Sequence, residues 1–235
     1  MSRLKKDWNP KNTKVLVLGL GLSEWDDPED EIGHRDLVLH EFFKECGVPN
    51  KNNIHIRDDA GDSESLIDFL PDFLADSDED TLFIFYYSGH GDLIEESELD
   101  YDLCFCHPTE ESFTLSDLVD AIEENFEGYD ILLMADCCYS GNISRFAETV
   151  ESEYNYAALA SSLCTKSSTG EWTFTDCILE ALKGEAQIDF DENGTISLQE
   201  LADYVKEQMK EIEEQKSDFG YSEEFDVEMR LAIVC

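Results

Sequence analysis

A chain of 235 residues with 56 Asp and Glu against 16 Lys and Arg, a formal charge of −40, is a poor match for nucleic acid, whose phosphates demand a basic face. Its length suffices for one sizeable core, and 42% hydrophobic residues in clear strand and helix patterns exclude a disordered acidic tail. The acids read instead as a solvated surface over a fold, a halophilic style suited to high-salt cytoplasm, where salt screens the self-repulsion, with an acidic mesophilic protein as the alternative.

The first residues, MSRLKKDWNPKNTK, carry no signal-peptide pattern, and no stretch approaches the roughly 18 apolar residues of a membrane span. A cytoplasmic protein with no membrane partner is expected. Its cysteines (Cys46, Cys104, Cys106, Cys137, Cys138, Cys164, Cys177, Cys235) then read as free thiols. Cys104-x-Cys106-His107 lacks a second pair at metal-site spacing and reads as strand alternation. Arg3, Lys5, Lys6, Lys11 and Lys14 crowd the start against the lone acid Asp7. Residues 1–13 are therefore read as a basic arm lying against an acidic body, and residues 14–235 as one domain.

Lys14–Leu20 (KVLVLGL) predicts a first buried strand, and an acidic loop over 22–33 follows it. Leu37, Leu39, Phe42 and Phe43 give helical spacing over 34–46, closed by Gly47. Asn53–Arg57 alternates as an edge strand, and a helix capped by Ser63 is predicted over 63–74. Thr81–Tyr87 (TLFIFYY) is an apolar run that stops at Ser88, Gly89, His90, Gly91 and Asp92. A loop is expected next, then a short strand over 103–106 and a helix capped at Thr114 or Ser116.

Ile131–Ala135 is an unbroken apolar run too short for a globular helix, as in a strand buried on both faces of a parallel sheet. It ends in Asp136, Cys137, Cys138, Tyr139, Ser140 and Gly141. The pattern predicts an α/β fold in three layers with a mostly parallel central sheet, and such sheets carry their chemistry at the carboxyl ends of the strands. Two strands thus deliver His90 and Cys138 to one edge. A cysteine needs such a neighbour, because at a free pKa of about 8.5 little of it is thiolate at neutral pH. Cys137 is the rival nucleophile, which strand alternation points away.

Residues 142–155 link this strand to the next, Tyr156–Ser161. Helical patterns over 175–183 and 197–214 then flank a segment that fits the twelve-residue calcium loop of EF-hands. Asp189, Asp191, Asn193, the Thr195 carbonyl and Glu200 fall at ligand positions, with Gly194 at the sharp turn. Ca²⁺ is the one cofactor suggested, no organic cofactor is expected, and an empty acidic turn is the alternative. Residues 228–235 predict a last strand.

YYSGHGD (Tyr86 to Asp92) and DCCYSG (Asp136 to Gly141) resemble the motifs of caspase-like cysteine peptidases, most closely the metacaspase and prokaryotic caspase-like (orthocaspase) branch. The resemblance implies a caspase-like fold, an endopeptidase acting on protein or peptide substrates, and a dyad of His90 and Cys138. It also implies an oxyanion hole from the Gly91 and Cys138 amides and a substrate pocket from Asp36, Ser88 and Asp136. Asp136 stands where caspases proper have glutamine, which points to cleavage after Arg or Lys. Arg35 competes with Asp36 for the pocket. Self-cleavage, where it occurs, is expected after Arg145 or Lys166. The alternative function is a catalytically weak adaptor or a calcium-responsive interaction module, and the oligomeric state is left open.

Overall fold

The computed structural model describes residues 7–20, 34–57, 66–97, 100–106 and 112–234. The expected cap Ser63, the acidic loop over 22–33 and the first residues of the basic arm lie outside them. Three apolar runs become central parallel strands: β1 (Thr13–Leu20), β3 (Leu82–Gly89) and β7 (Asp130–Asp136), with β2 (Asn53–Arg57) on the edge next to β1. β8 (Asn155–Ala160) continues the sheet in parallel, and β10 (Asp218–Tyr221) closes it antiparallel, for the order β10-β8-β7-β3-β1-β2.

The period-two pattern sorts these runs into two cores. Val15, Val17, Ile84, Tyr86, Leu132 and Met134 face one side and pack with α1 (Arg35–Glu45), α5 (Thr173–Leu182) and α6 (Leu198–Ile212). Leu16, Leu18, Phe83, Phe85, Ile131 and Leu133 face the other and pack with α2 (Leu66–Leu74), α3 (Leu115–Asn125) and α4 (Gly141–Thr149). Each large apolar side chain so buried contributes roughly 1.5–3 kcal/mol. The three-layer α/β architecture expected from the sequence is what forms. No helix among the described residues is long and apolar enough to cross a membrane.

Four features differ from expectation. Residues 91–97 are a strand, β4 (Gly91–Ser97), rather than a loop, pairing antiparallel with β5 (Asp100–Phe105), which pairs in turn with β6 (Phe113–Thr114). Its acids hid it, yet the ladder is made by backbone, and Ile94 and Glu95 are exposed. The 142–155 link is mostly the helix α4. β10 went unread because it is four residues long and contains Gly220, where a Cβ would lie 2.1 Å from the Ser144 carbonyl oxygen. The final strand, β11 (Arg230–Ile233), leaves the main sheet and pairs with β9 (Thr195–Ser197), inside the calcium-type loop. Of the two caps proposed for α3, Thr114 is the one used, in a full capping box with Asp117.

Candidate active site

β3 and β7 are neighbours in register, with Ser88 opposite Asp136, so both motifs leave the sheet at one level. Gly89 has φ +154°, and a Cβ there would lie 2.2 Å from the Leu20 carbonyl oxygen, so no other residue fits between β3 and β1. At Gly91 a Cβ would lie 2.2 Å from the Cys138 carbonyl oxygen and 3.0 Å from Cys137 Sγ. Gly91 therefore lets one motif's backbone rest directly on the other's, while Gly89 makes room for β1. The His90 carbonyl is fixed by the Tyr87 hydroxyl, which donates at 2.6 Å, and by the Cys106 amide at 3.0 Å.

On the β7 side, Asp136 ends the strand and Tyr139 turns the chain with φ 61°, a left-handed conformation that non-glycine residues hold only when the surroundings impose it. The Tyr139 amide donates to the Lys166 carbonyl at 2.7 Å, and the Ser140 and Ser162 hydroxyls meet at 3.0 Å. Asn142 Nδ2 donates to the Cys164 carbonyl at 3.0 Å. The segment between β8 and α5 is thus strapped across the cysteine turn. Its Ser168 amide donates to Cys138 Sγ at 3.3 Å.

Between turn and strap lies a cavity of about 350 Å³. Ser88, His90, Asp136 and Cys138 line one side, and Ser168–Trp172 the other. His90 is exposed and Cys138 half-buried, so both are open to a substrate. Cys137 is 1% exposed, and burial, with Asp136 beside it, pushes its thiol well above the ordinary range, as suits a small core residue. The two residues whose amides the family resemblance assigns to an oxyanion hole, Gly91 and Cys138, are the pair in backbone contact.

Asp136 is the buried acid of the cavity. Burial pushes its carboxyl up to about 7, against the opposing hydrogen bonds of Thr175 and Ser161, and Glu213 and Asp176 add to the rise. Thr175 Oγ1 donates to Asp136 Oδ2 at 2.9 Å, which leaves the Tyr86 hydroxyl as donor to Thr175 at 2.6 Å. Asp36 lies elsewhere. It is fully buried at the start of α1 and is not part of the cavity wall among the described residues. Its Oδ2 is 2.7 Å from His55 Nε2, and although burial opposes ionisation, His55 holds the carboxyl below its usual range. Arg35 does not enter the cavity either, because Asp176 on α5 draws its guanidinium away.

In the calcium-type loop, Asp189, Asp191 and Glu200 each present an oxygen, and these atoms lie within 4.8 Å of one another. Gly194 has φ +83° at the sharp turn. Glu200 is buried and caps α6 reciprocally with Ser197, while its Oε1 accepts from the Phe190 amide at 2.9 Å. The Asn193 side-chain oxygen accepts from the Thr195 amide at 2.9 Å. A set of hard oxygens on a tight turn fits Ca²⁺ in chemistry and convergence. The strand inside this loop, β9, pairs antiparallel with β11.

Sequence reasoning missed the strap. Residues 161–170 (SSLCTKSSTG) are mostly small polar side chains and glycine, which read as loop, and nothing in that composition says which turn they cross.

The caspase domain family profile matches residues 38–222. The fold is similar to the crystal structure of protein GSU0716 from Geobacter sulfurreducens, with TM-score 0.60 at 11% identity, covering 95% of this chain and 100% of that one. It is also similar to caspase-1 from Spodoptera frugiperda, with TM-score 0.50 at 10% identity, covering 100% of this chain and 98% of that one. No curated protein matches the sequence.

Proposed function

We propose that this chain, which belongs to the caspase domain family of peptidases, is a cysteine endopeptidase of the metacaspase-like branch that cleaves proteins after Arg or Lys. One observation carries the reading: β3 and β7 end in register, so that His90 and Cys138 line one cavity with Gly91 seated on the Cys138 backbone. Cys138 Sγ attacks the scissile carbonyl carbon after His90 takes its proton, and His90 returns a proton to the leaving amine. The developing oxyanion is met by the Gly91 and Cys138 amides. Water then hydrolyses the thioester and frees the enzyme. Asp136, with Ser88 beside it, receives the basic side chain.

The test is covalent labelling by a peptidyl electrophile ending in arginine. Wild type is expected to gain one inhibitor mass on Cys138, and Cys138→Ala none. An adaptor or interaction module would leave wild type unlabelled as well, which would remove the enzyme reading.

Calcium is proposed as a structural ligand of the loop, held by Asp189, Asp191, Asn193, the Thr195 carbonyl and Glu200. When bound it would neutralise converging acids and tie the loop to α6. At 100 times its Kd, binding should stabilise the fold by about 2.7 kcal/mol. Glu200→Gln keeps the capping geometry but loses a charge, so it should melt near the wild-type temperature without calcium and fail to gain on adding it. Equal melting shifts for the two proteins, or none for wild type, would take calcium out of the reading.

We read the acid surplus as an adaptation to salt and place the protein in a reducing cytoplasm, where cysteines that form no disulfide among the described residues are at home. Like charges at −40 repel at low ionic strength. Unfolding in urea should therefore shift to higher midpoints as KCl rises from dilute buffer to molar levels, and a flat midpoint would end the halophilic reading. The same charge leaves nucleic acid without a binding face.

A further inference from the structure

A second cavity, of about 300 Å³, opens between α3, α4 and β5 and shares no lining residue with the catalytic one. We propose that it binds a free α-amino acid with an apolar side chain, the carboxylate held by Arg145 and the ammonium by Asp102 and Asp120.

The walls carry opposite charges. On α4, Asn142, Arg145, Phe146 and Thr149 recur at three- and four-residue spacing and so form one stripe of the helix, turned to the cavity. Across from it α3 presents Asp120, and β5 presents Asp102. Asp102 is only 8% exposed, so its charge is less screened than that of a surface acid. Its Oδ2 accepts from the Ser116 amide at 3.2 Å, and its Oδ1 has no hydrogen-bond partner among the described residues. A carboxylate so placed has room for one more donor, on the cavity side.

Arg145 is the matching half. Arg35 and Arg230 each engage an aspartate. Arg145 is exposed and pairs with no acid among the described residues, although two aspartates line the same cavity and the chain has 56 acids to 16 Lys and Arg. The guanidinium and the carboxylates thus face one another across open space, beyond ion-pair distance. A guest with a single charge satisfies one wall and is repelled by the other. A zwitterion with both charges on neighbouring atoms answers both. The guanidinium forks onto its carboxylate with two hydrogen bonds, and the ammonium brings three donors to the acids opposite. The side chain is left to Phe146, Val119 and Leu103, the apolar part of the lining. The volume suits one mid-sized amino acid with a little water beside it.

The test is calorimetric titration of the full chain with L-leucine, for which one saturable site is expected. 4-Methylpentanoate is the same skeleton without the ammonium, and 3-methylbutylamine the same without the carboxylate. Each should bind at least about tenfold more weakly, because each loses a charge-assisted contact. Arg145→Gln, at an exposed position, should weaken L-leucine by a similar factor at unchanged melting temperature. Asp102→Asn should do likewise, since its amide oxygen can still accept from Ser116. Asp136→Asn, in the catalytic cavity, should leave binding as it is. No saturable binding up to roughly 10 mM L-leucine overturns the site. Binding that survives Arg145→Gln, or that Asp136→Asn abolishes, places the guest elsewhere and overturns it too. If 3-methylbutylamine binds as well as L-leucine, the cavity is an acidic patch for cations and the amino-acid assignment falls.

Discussion

Cys138→Ala and His90→Ala are each expected to lower peptide hydrolysis by about a thousandfold or more, because a nucleophile and its proton carrier act as a unit and either loss removes the whole pathway. Cys137→Ala should keep most of the activity. Its side chain is buried on the core side of the turn, and trimming one sulfur there changes packing rather than chemistry. The three variants should be compared in kcat/KM with one basic peptide and in melting temperature, so that a folding defect is seen as such. Near wild-type turnover in Cys138→Ala would end the dyad assignment. Collapse of Cys137→Ala at unchanged melting temperature would move the chemistry to the neighbouring sulfur.

The layers, the parallel core and the edge where chemistry is proposed were legible because each rests on a local pattern. Uninterrupted apolar runs such as Ile131–Ala135 mark strands covered on both faces, and the glycines at 89 and 91 mark a close backbone approach. Asp36 shows where such reading fails. Position in a motif suggested the pocket, whereas the pairing of β1 with β2 brings His55 over it and buries the carboxyl. Burial partners of that kind depend on which strand lies next to which, information carried by long-range contacts. The strap failed for a related reason. On the strap's own side its hold on the cysteine turn is largely backbone, through the Cys164 and Lys166 carbonyls and the Ser168 amide, and such groups leave no mark on composition. Thr175 was seen only as part of a helix start, while its hydroxyl proves to sit between Tyr86 and Asp136.

The buried carboxyl of Asp136 makes the specificity depend on pH. With its folded value raised to about 7, the side chain is a neutral acid below that pH and an anion above it. An arginine side chain gains from the anion and forks onto it with two hydrogen bonds, whereas a citrulline side chain has the same shape and no charge. The ratio of kcat/KM for matched Arg and citrulline peptides cancels the titration of the thiol, which both share. It is expected to rise as pH climbs from 6 to 8, reaching about a hundredfold, the size of effect seen when one partner of a buried charge pair is removed. In Asp136→Asn the ratio should be small and flat with pH. Folding linkage runs the other way. A carboxyl raised in the folded state favours folding most at low pH, and that contribution is lost as pH rises from the unfolded value of 3.8 through about 7. Asp136→Asn should therefore flatten the decline in stability over that window. A ratio in wild type that stays level across pH 7, or a preference for Asp over Arg in peptides differing only at the residue that supplies the scissile carbonyl, would place the basic side chain somewhere other than against Asp136.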